Sequence, residues 1–339
     1  MQPIPLAPNT LKSFYPGAGR IAAFRRDPGV GPSHAEDWIA STTTRFGAAP
    51  VGLTTLPDGS LLADRVAAFP EPWFGPQYTA RYGARGVLLV KLLDAGGRLP
   101  LHIHPNRLFA RQYLGSDFGK TEAWLILHAD PGAAAHLGFS RDVSSEELSG
   151  WVSSQDAAAM LSACNHVPVR SGDVFFCPGG IPHAIGEGIF LLEIQEMTDF
   201  SIMLEWAGFP LDPAASFLGL EQDVALSAVC QQAITGAGLD ALRGQCLHTL
   251  ATGQPGSTPL LPAGASGFFC AEQIIPDGGE IVLDPRFSVL LVNEGTGTLA
   301  PEAAEPVAMA AGQVWLIPYA AGAVGIRGSL SAIRCHPEV

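Results

Sequence analysis

The stretch Ser171-Gly-Asp-Val-Phe-Phe-Cys-Pro-Gly-Gly-Ile-Pro-His-Ala-Ile-Gly186 decides how the chain is read. Its first half runs from Gly172 through an apolar strand into Pro178, and the spacing of glycine, five residues and proline returns in Gly312-Gln-Val-Trp-Leu-Ile-Pro318. The repeat predicts two copies of one β module. They are chemically unequal, because His183 stands five residues past Pro178 and Ala323 stands five past Pro318. Only the first copy offers a ligand at that place.

Outward from this segment the texture is that of short strands. Gly86–Leu93, Leu99–His104, Glu122–Leu127, Val174–Cys177 and Ile189–Ile194 are apolar runs bounded by turn residues. Helices are expected as insertions. Ser144 and Glu147 have capping-box spacing, with Leu148, Trp151 and Val152 on one face after them. A second helical stretch is expected to start at Asp212-Pro213 and run through Val224, Leu226, Val229 and Cys230 toward Gly236. A loop over residues 251–258 follows, and strands and turns return from Gly267 to the C-terminus.

Composition agrees with this picture. At about 150 residues per domain, 339 residues suggest two domains. The 39 glycines and 28 prolines imply many turns, which favours strands. A hydrophobic content of 47% with only 15% charged residues argues against disorder, and a net charge of −13 repels nucleic acid and anionic lipid. No segment has the length of a bilayer span and the N-terminus lacks a secretory pattern, so a soluble, cytoplasmic chain without a membrane or nucleic-acid partner is expected. The six cysteines form no C-x-x-C pair and are expected as reduced thiols.

The chemistry-bearing residues gather in the first module. His102 and His104 lie two apart in an expected strand, so both imidazoles project to one side. Glu122 opens the next apolar strand, and His183 follows the Gly179-Gly180 turn. Three imidazoles and a carboxylate suit zinc, iron, manganese or nickel, and leave positions for water or substrate oxygens. The other histidines, at positions 34, 128, 136, 166, 248 and 336, lack such company.

These residues carry a resemblance. Leu99 to Leu127, with His104-Pro-Asn106 and Gly119-Lys-Thr-Glu-Ala-Trp-Leu-Ile-Leu127, resembles the first metal segment of type I mannose-6-phosphate isomerases of the cupin superfamily. Ser171–Gly186 and Leu191–Asp199 resemble that family's metal-histidine turn and following strand. The likeness is close over about Gly86 to Trp206 and extends to layout beyond it. It implies a mostly β fold: a double cupin, two jelly-roll-like barrels with an inserted helical region. The metal-binding cupin is expected over 1–130 and 165–210, helical insertions over 131–164 and 211–257, and a second, metal-free cupin over 258–339.

The resemblance further implies one zinc, or another divalent transition metal, held by His102, His104, Glu122 and His183. It implies interconversion of an aldose and a ketose through a cis-enediol, within carbohydrate metabolism and on a sugar or sugar phosphate. Lys120, Glu193 and Asp199 match the family's acting lysine, strand glutamate and aspartate. Such a reaction needs a base within reach of the migrating proton and positive charge near the enediolate oxygens. Three positions depart from the pattern: His102 replaces a glutamine, Pro100 a phosphate-contacting serine, and Met203 an arginine. The last two changes remove groups suited to an anionic sugar, for which Arg98, Arg107, Arg111 and Lys120 are the nearby compensating cations. Two other readings remain open. One is a sugar-binding or regulatory cupin without catalysis; the other is a cupin oxygenase using iron or nickel. Sequence leaves the oligomeric state undetermined.

Overall fold

The computed structural model describes residues 1–86, 88–276, 278–302 and 304–338. Antiparallel strands dominate, in three sheets. The first module is built from two of them. One has six strands, with Glu122–Ala129, Val174–Cys177, Leu89–Ala95 and Ile189–Gln195 as its core members. The other has five, in which His102–Ile103 and His183–Ala184 pair with each other and are flanked by Ile202–Met203 and Ala134–Phe139. The third sheet, of eight strands, forms the second module, in which the 14-residue strands Ser288–Pro301 and Val324–Pro337 pair along their length.

The repeat read in the sequence is a repeat of structure. Val174–Cys177 and Val314–Ile317 are both four-residue buried strands. Each follows a left-handed glycine, Gly172 at φ +93° and Gly312 at φ +87°. A Cβ at Gly312 would meet the Phe24 carbonyl oxygen at 2.0 Å, so both backbone angle and space demand glycine.

Several expectations are corrected in detail. Strand Leu89–Ala95 starts later than expected from Gly86, and Val87 lies outside the described residues. The strand expected over Leu99–His104 shrinks to His102–Ile103. Pro100 has no N–H for a ladder, and the Leu101 N–H donates instead to the Glu205 carboxylate at 2.9 Å. The stretch 131–164 is not wholly helical: after Ala134–Phe139 come helices Ser145–Ser154 and Ala157–Ala163. Ala135 and Leu137 are buried while Ala134 and His136 are not, which is the period of a strand. The helix expected from Pro213 to Gly236 is broken into a 3-10 turn Pro213–Ala215 and helix Gln222–Leu226, because Leu218 and Gly219 both take left-handed backbone (φ +57° and +81°). The N-terminal strand Ile4–Pro5 joins the second module by pairing with Leu316 and Trp315, so residues 1–130 are not all in the first. The capping box forms as read, with the Glu147 N–H donating to Ser144 Oγ at 3.2 Å and the Ser144 N–H donating to the Glu147 carboxylate at 3.2 Å.

Candidate metal centre

The two sheets of the first module bring the candidate residues together from opposite sides. His183 and His102 are direct cross-strand partners in the five-stranded sheet. In the six-stranded sheet Trp38, Lys91, Glu193, Trp124 and Phe175 are aligned in register as one lateral row, with Glu122 and Cys177 paired in another. Strand parity puts Trp124 and Glu122 on the same face, and Trp124 Nε1–H donates to Glu122 Oε1 at 2.7 Å.

One potential ligand atom each from His102, His104 and His183 lies within 4.8 Å of the others, and all three side chains are buried. Glu122 reaches the same cluster, with its Oε2 2.9 Å from His104 Nε2 and its Oε1 3.4 Å from His183 Nε2. Each ring is turned by the same device. The Nδ1–H of His102 donates to the Pro100 carbonyl at 2.9 Å, that of His104 to Phe200 at 2.8 Å, and that of His183 to Ile181 at 2.9 Å. A carbonyl can only accept, so the proton sits on Nδ1 and every Nε2 presents a lone pair to the centre. His183 Nε2 is buried and has no hydrogen-bond partner. An orphaned acceptor of this kind beside a buried carboxylate fits a divalent cation and an N/O donor set.

Electrostatics keeps the set ready. Burial lowers the pKa of all three histidines, that of His104 to about 3, so they are neutral at neutral pH. Burial opposes ionisation of Glu122, but neighbouring positive charge, that of Lys120 at 2.8 Å, prevails and holds its carboxyl well below the ordinary range. Lys120 Nζ donates to Glu122 Oε2 at 2.8 Å and to His104 Nε2 at 2.6 Å, putting an ammonium at the edge of the cluster.

A cavity of about 240 Å³ opens beside these groups, lined among others by His102, Lys120, Glu122, Glu193, Asp199 and Met203. All three residues read as acting groups reach it. Glu193 is buried, its Oε1 has no hydrogen-bond partner, and Lys91 Nζ is 3.5 Å away. Burial and the Glu122 charge raise the Glu193 pKa to about 7. Asp199 Oδ1 is 3.6 Å from the same Lys91, which lies 4.4 Å over the Trp38 ring.

Sequence reasoning missed three members of the site. Lys91 is the single charge in the apolar run Gly86–Leu93, the one local signal available. Arg45 lines the cavity from a loop without periodic pattern and has no ion pair among the described residues. Cys177 Sγ lies 3.4 Å from His183 Nδ1, and with Glu122 and His183 forms a second close group of potential donors. The arginines expected to compensate for Met203 and Pro100 do not line the cavity. Arg98 is paired with Glu205 at 2.6 Å, Arg107 with Glu196 at 2.6 Å, and Arg111 with Asp117 at 3.4 Å.

All six cysteines are free, and among the described residues no helix is long and apolar enough to cross a membrane. No protein-family model matches the chain. Curated relatives do. A mannose-6-phosphate isomerase of Streptococcus mutans is 39% identical over 112 residues, 33% of this chain and 34% of its own length. Mannose-6-phosphate isomerase ManA of Bacillus subtilis is 35% identical over 122 residues, 36% of this chain and 38% of its own. The matched stretch thus spans about a third of these curated relatives. In structure the likeness extends over the whole chain. A Bacillus subtilis mannose 6-phosphate isomerase superposes with a TM-score of 0.73 at 22% identity, covering 99% of this chain and 100% of that one. A mannose 6-phosphate isomerase bound with zinc and yttrium gives 0.73 at 14% identity, with full coverage of both. In its double-cupin fold from end to end, and in sequence over about a third of its length, the chain is similar to mannose-6-phosphate isomerases.

Proposed function

We propose that the protein is a metal-dependent aldose–ketose isomerase of the mannose-6-phosphate isomerase type. The observation that carries this reading is the set of three Nδ1-anchored histidines whose Nε2 atoms converge beside Glu122, next to a cavity holding a second, separately tuned carboxylate. His102, His104, Glu122 and His183 are the proposed ligands. Zinc, the preferred ion, supplies positive charge near the oxygens of the enediolate.

The chain's own residues do the rest. Glu193 has a free buried oxygen and an elevated pKa, which suits it to take a proton from one sugar carbon and return it to the next. Lys91 positions Glu193 and Asp199 by facing both carboxylates. Lys120 adds a donor and a positive charge at the cavity edge, where a substrate oxygen gaining charge is stabilised. The cavity walls limit water around the enediolate. Arg45 is the proposed contact for an anionic sugar end, a sugar phosphate is the proposed substrate class, and a cytoplasmic place in carbohydrate metabolism fits the free thiols.

The test is a metal-loaded sample assayed against phosphorylated and free hexoses and pentoses in deuterated water. Conversion of at least one aldose to its ketose, with deuterium entering at C1 of the ketose and at C2 of the aldose on reversal, is expected. Absence of both across the panel contradicts the proposal. The position of Met203, which lines the cavity where the family pattern has an arginine, favours a second reading as a sugar-binding protein without catalysis. Tight sugar binding without deuterium exchange is its signature.

A further inference from the structure

Outside the metal cavity, four arginines, Arg81, Arg85, Arg107 and Arg111, line a groove of about 920 Å³ together with Asp117 and Phe118. It shares no lining residue with the metal cavity. Four guanidinium groups face only two carboxylates there, Asp117 and, beneath Arg107, Glu196, on a chain whose net charge is −13. A positive island on an acidic molecule concentrates anions locally.

The arginines are differently employed. Arg107 is fixed: it donates to Glu196 at 2.6 Å and to the Gly267 carbonyl at 3.0 Å, and stacks 4.4 Å over the Phe268 ring. Arg85 and Arg111 are half exposed and share a single carboxylate, Asp117, which is itself half exposed. Arg81 has no carboxylate partner among the described residues and lies 4.9 Å over the Tyr82 ring, which in turn packs against Phe118. Two planar forks sharing two oxygens leave several N–H donors unused, with a third fork beside them.

We propose that this groove binds a phosphate dianion, free or as the monoester of a small molecule, held by Arg81, Arg85 and Arg111 in place of Asp117. A phosphate offers three oxygens where the aspartate offers two, and carries the charge to satisfy two guanidinium groups at once. Asp117 is then an internal competitor. Because exposed ion pairs are worth about 0.2–1 kcal/mol each, it is displaced readily. This site is independent of the isomerase reading and stands or falls without it.

Line broadening of inorganic phosphate in phosphorus NMR, titrated with the full-length protein at fixed ionic strength, tests the proposal. With R45Q as the common background, which removes the metal cavity's own proposed phosphate contact, R85Q/R111Q is expected to weaken binding about tenfold or more. D117N gives the sharper result: removing the competitor is expected to tighten phosphate binding about threefold. Unchanged binding in R85Q/R111Q, or unchanged or weaker binding in D117N, overturns the proposal.

Discussion

The two β modules begin from one pattern and finish with opposite interiors. In the first, the sheets enclose His102, His104, Lys91, Glu122, His183 and Glu193, all buried. In the second, a core cluster of Ile274, Leu290, Val292, Leu299, Trp315 and Ile326 packs apolar side chains together, and the buried Arg334 is tied up by Glu272 and Asp284. The strand after the proline turn presents His183 in one and begins at Val324, beside Ala323, in the other. A shared frame thus supports either a cavity lined by ionisable groups or a packed core, and the choice rests on few positions. The first arrangement costs more to fold, since buried ionisable groups must be paired or neutral. The module meets that cost with carbonyl-anchored histidines and the Lys91 and Lys120 contacts.

Breaking the first module at its distinguishing residue gives the largest effect. H183A is expected to remove bound metal, read by elemental analysis, and to abolish turnover, while A323H in the second module creates no second metal equivalent. A metal equivalent retained in H183A, or gained in A323H, contradicts the contrast drawn here.

The next effect separates the metal from the chemistry. E193Q is expected to keep its metal and lose about 10²–10⁴-fold in kcat, the usual worth of a positioned base. Glu193 acts only when ionised, and its pKa is raised to about 7 by burial, so kcat/KM falls as pH drops through the neighbourhood of 7. A bound cation favours the carboxylate and moves that inflection downward. In E193Q the limb is expected to vanish; a limb that persists assigns the base elsewhere.

The smallest effect concerns substrate charge. R45Q is expected to raise KM for a phosphorylated sugar by about tenfold, at the lower end for a hydrogen bond to a charged group, and to leave a neutral sugar unaffected. Equal changes for both contradict a phosphate contact.

Much of the first module was legible because the spacing of its buried histidines is local. His102 and His104, two apart, announce a shared side of the chain even though the strand ends at Ile103, and Gly172 with Pro178 frames the strand before His183. The row of Trp38, Lys91, Glu193 and Trp124 was not legible, because lateral register joins strands far apart in sequence and no spacing encodes it. Arg45 sits in a loop whose path is fixed by tertiary contacts, such as the Thr43 hydroxyl donating to the Met197 carbonyl at 2.8 Å and the Phe46 N–H donating to Asp199 at 3.1 Å. The expected roles of Arg98, Arg107 and Arg111 failed for a related reason: proximity in sequence to His104 gave no account of Glu205, Glu196 and Asp117, which hold them elsewhere. The helix expected after Pro213 ended early because left-handed Leu218 carries no strong sequence signal.

The central claim is that one cation sits between the two sheets of the first module. Anomalous diffraction from crystals of the metal-loaded protein at the zinc edge tests it most directly. One peak is expected about 2.0–2.2 Å from the Nε2 atoms of His102, His104 and His183 and from a Glu122 carboxylate oxygen. No peak there, or a peak bound by other residues, contradicts the account.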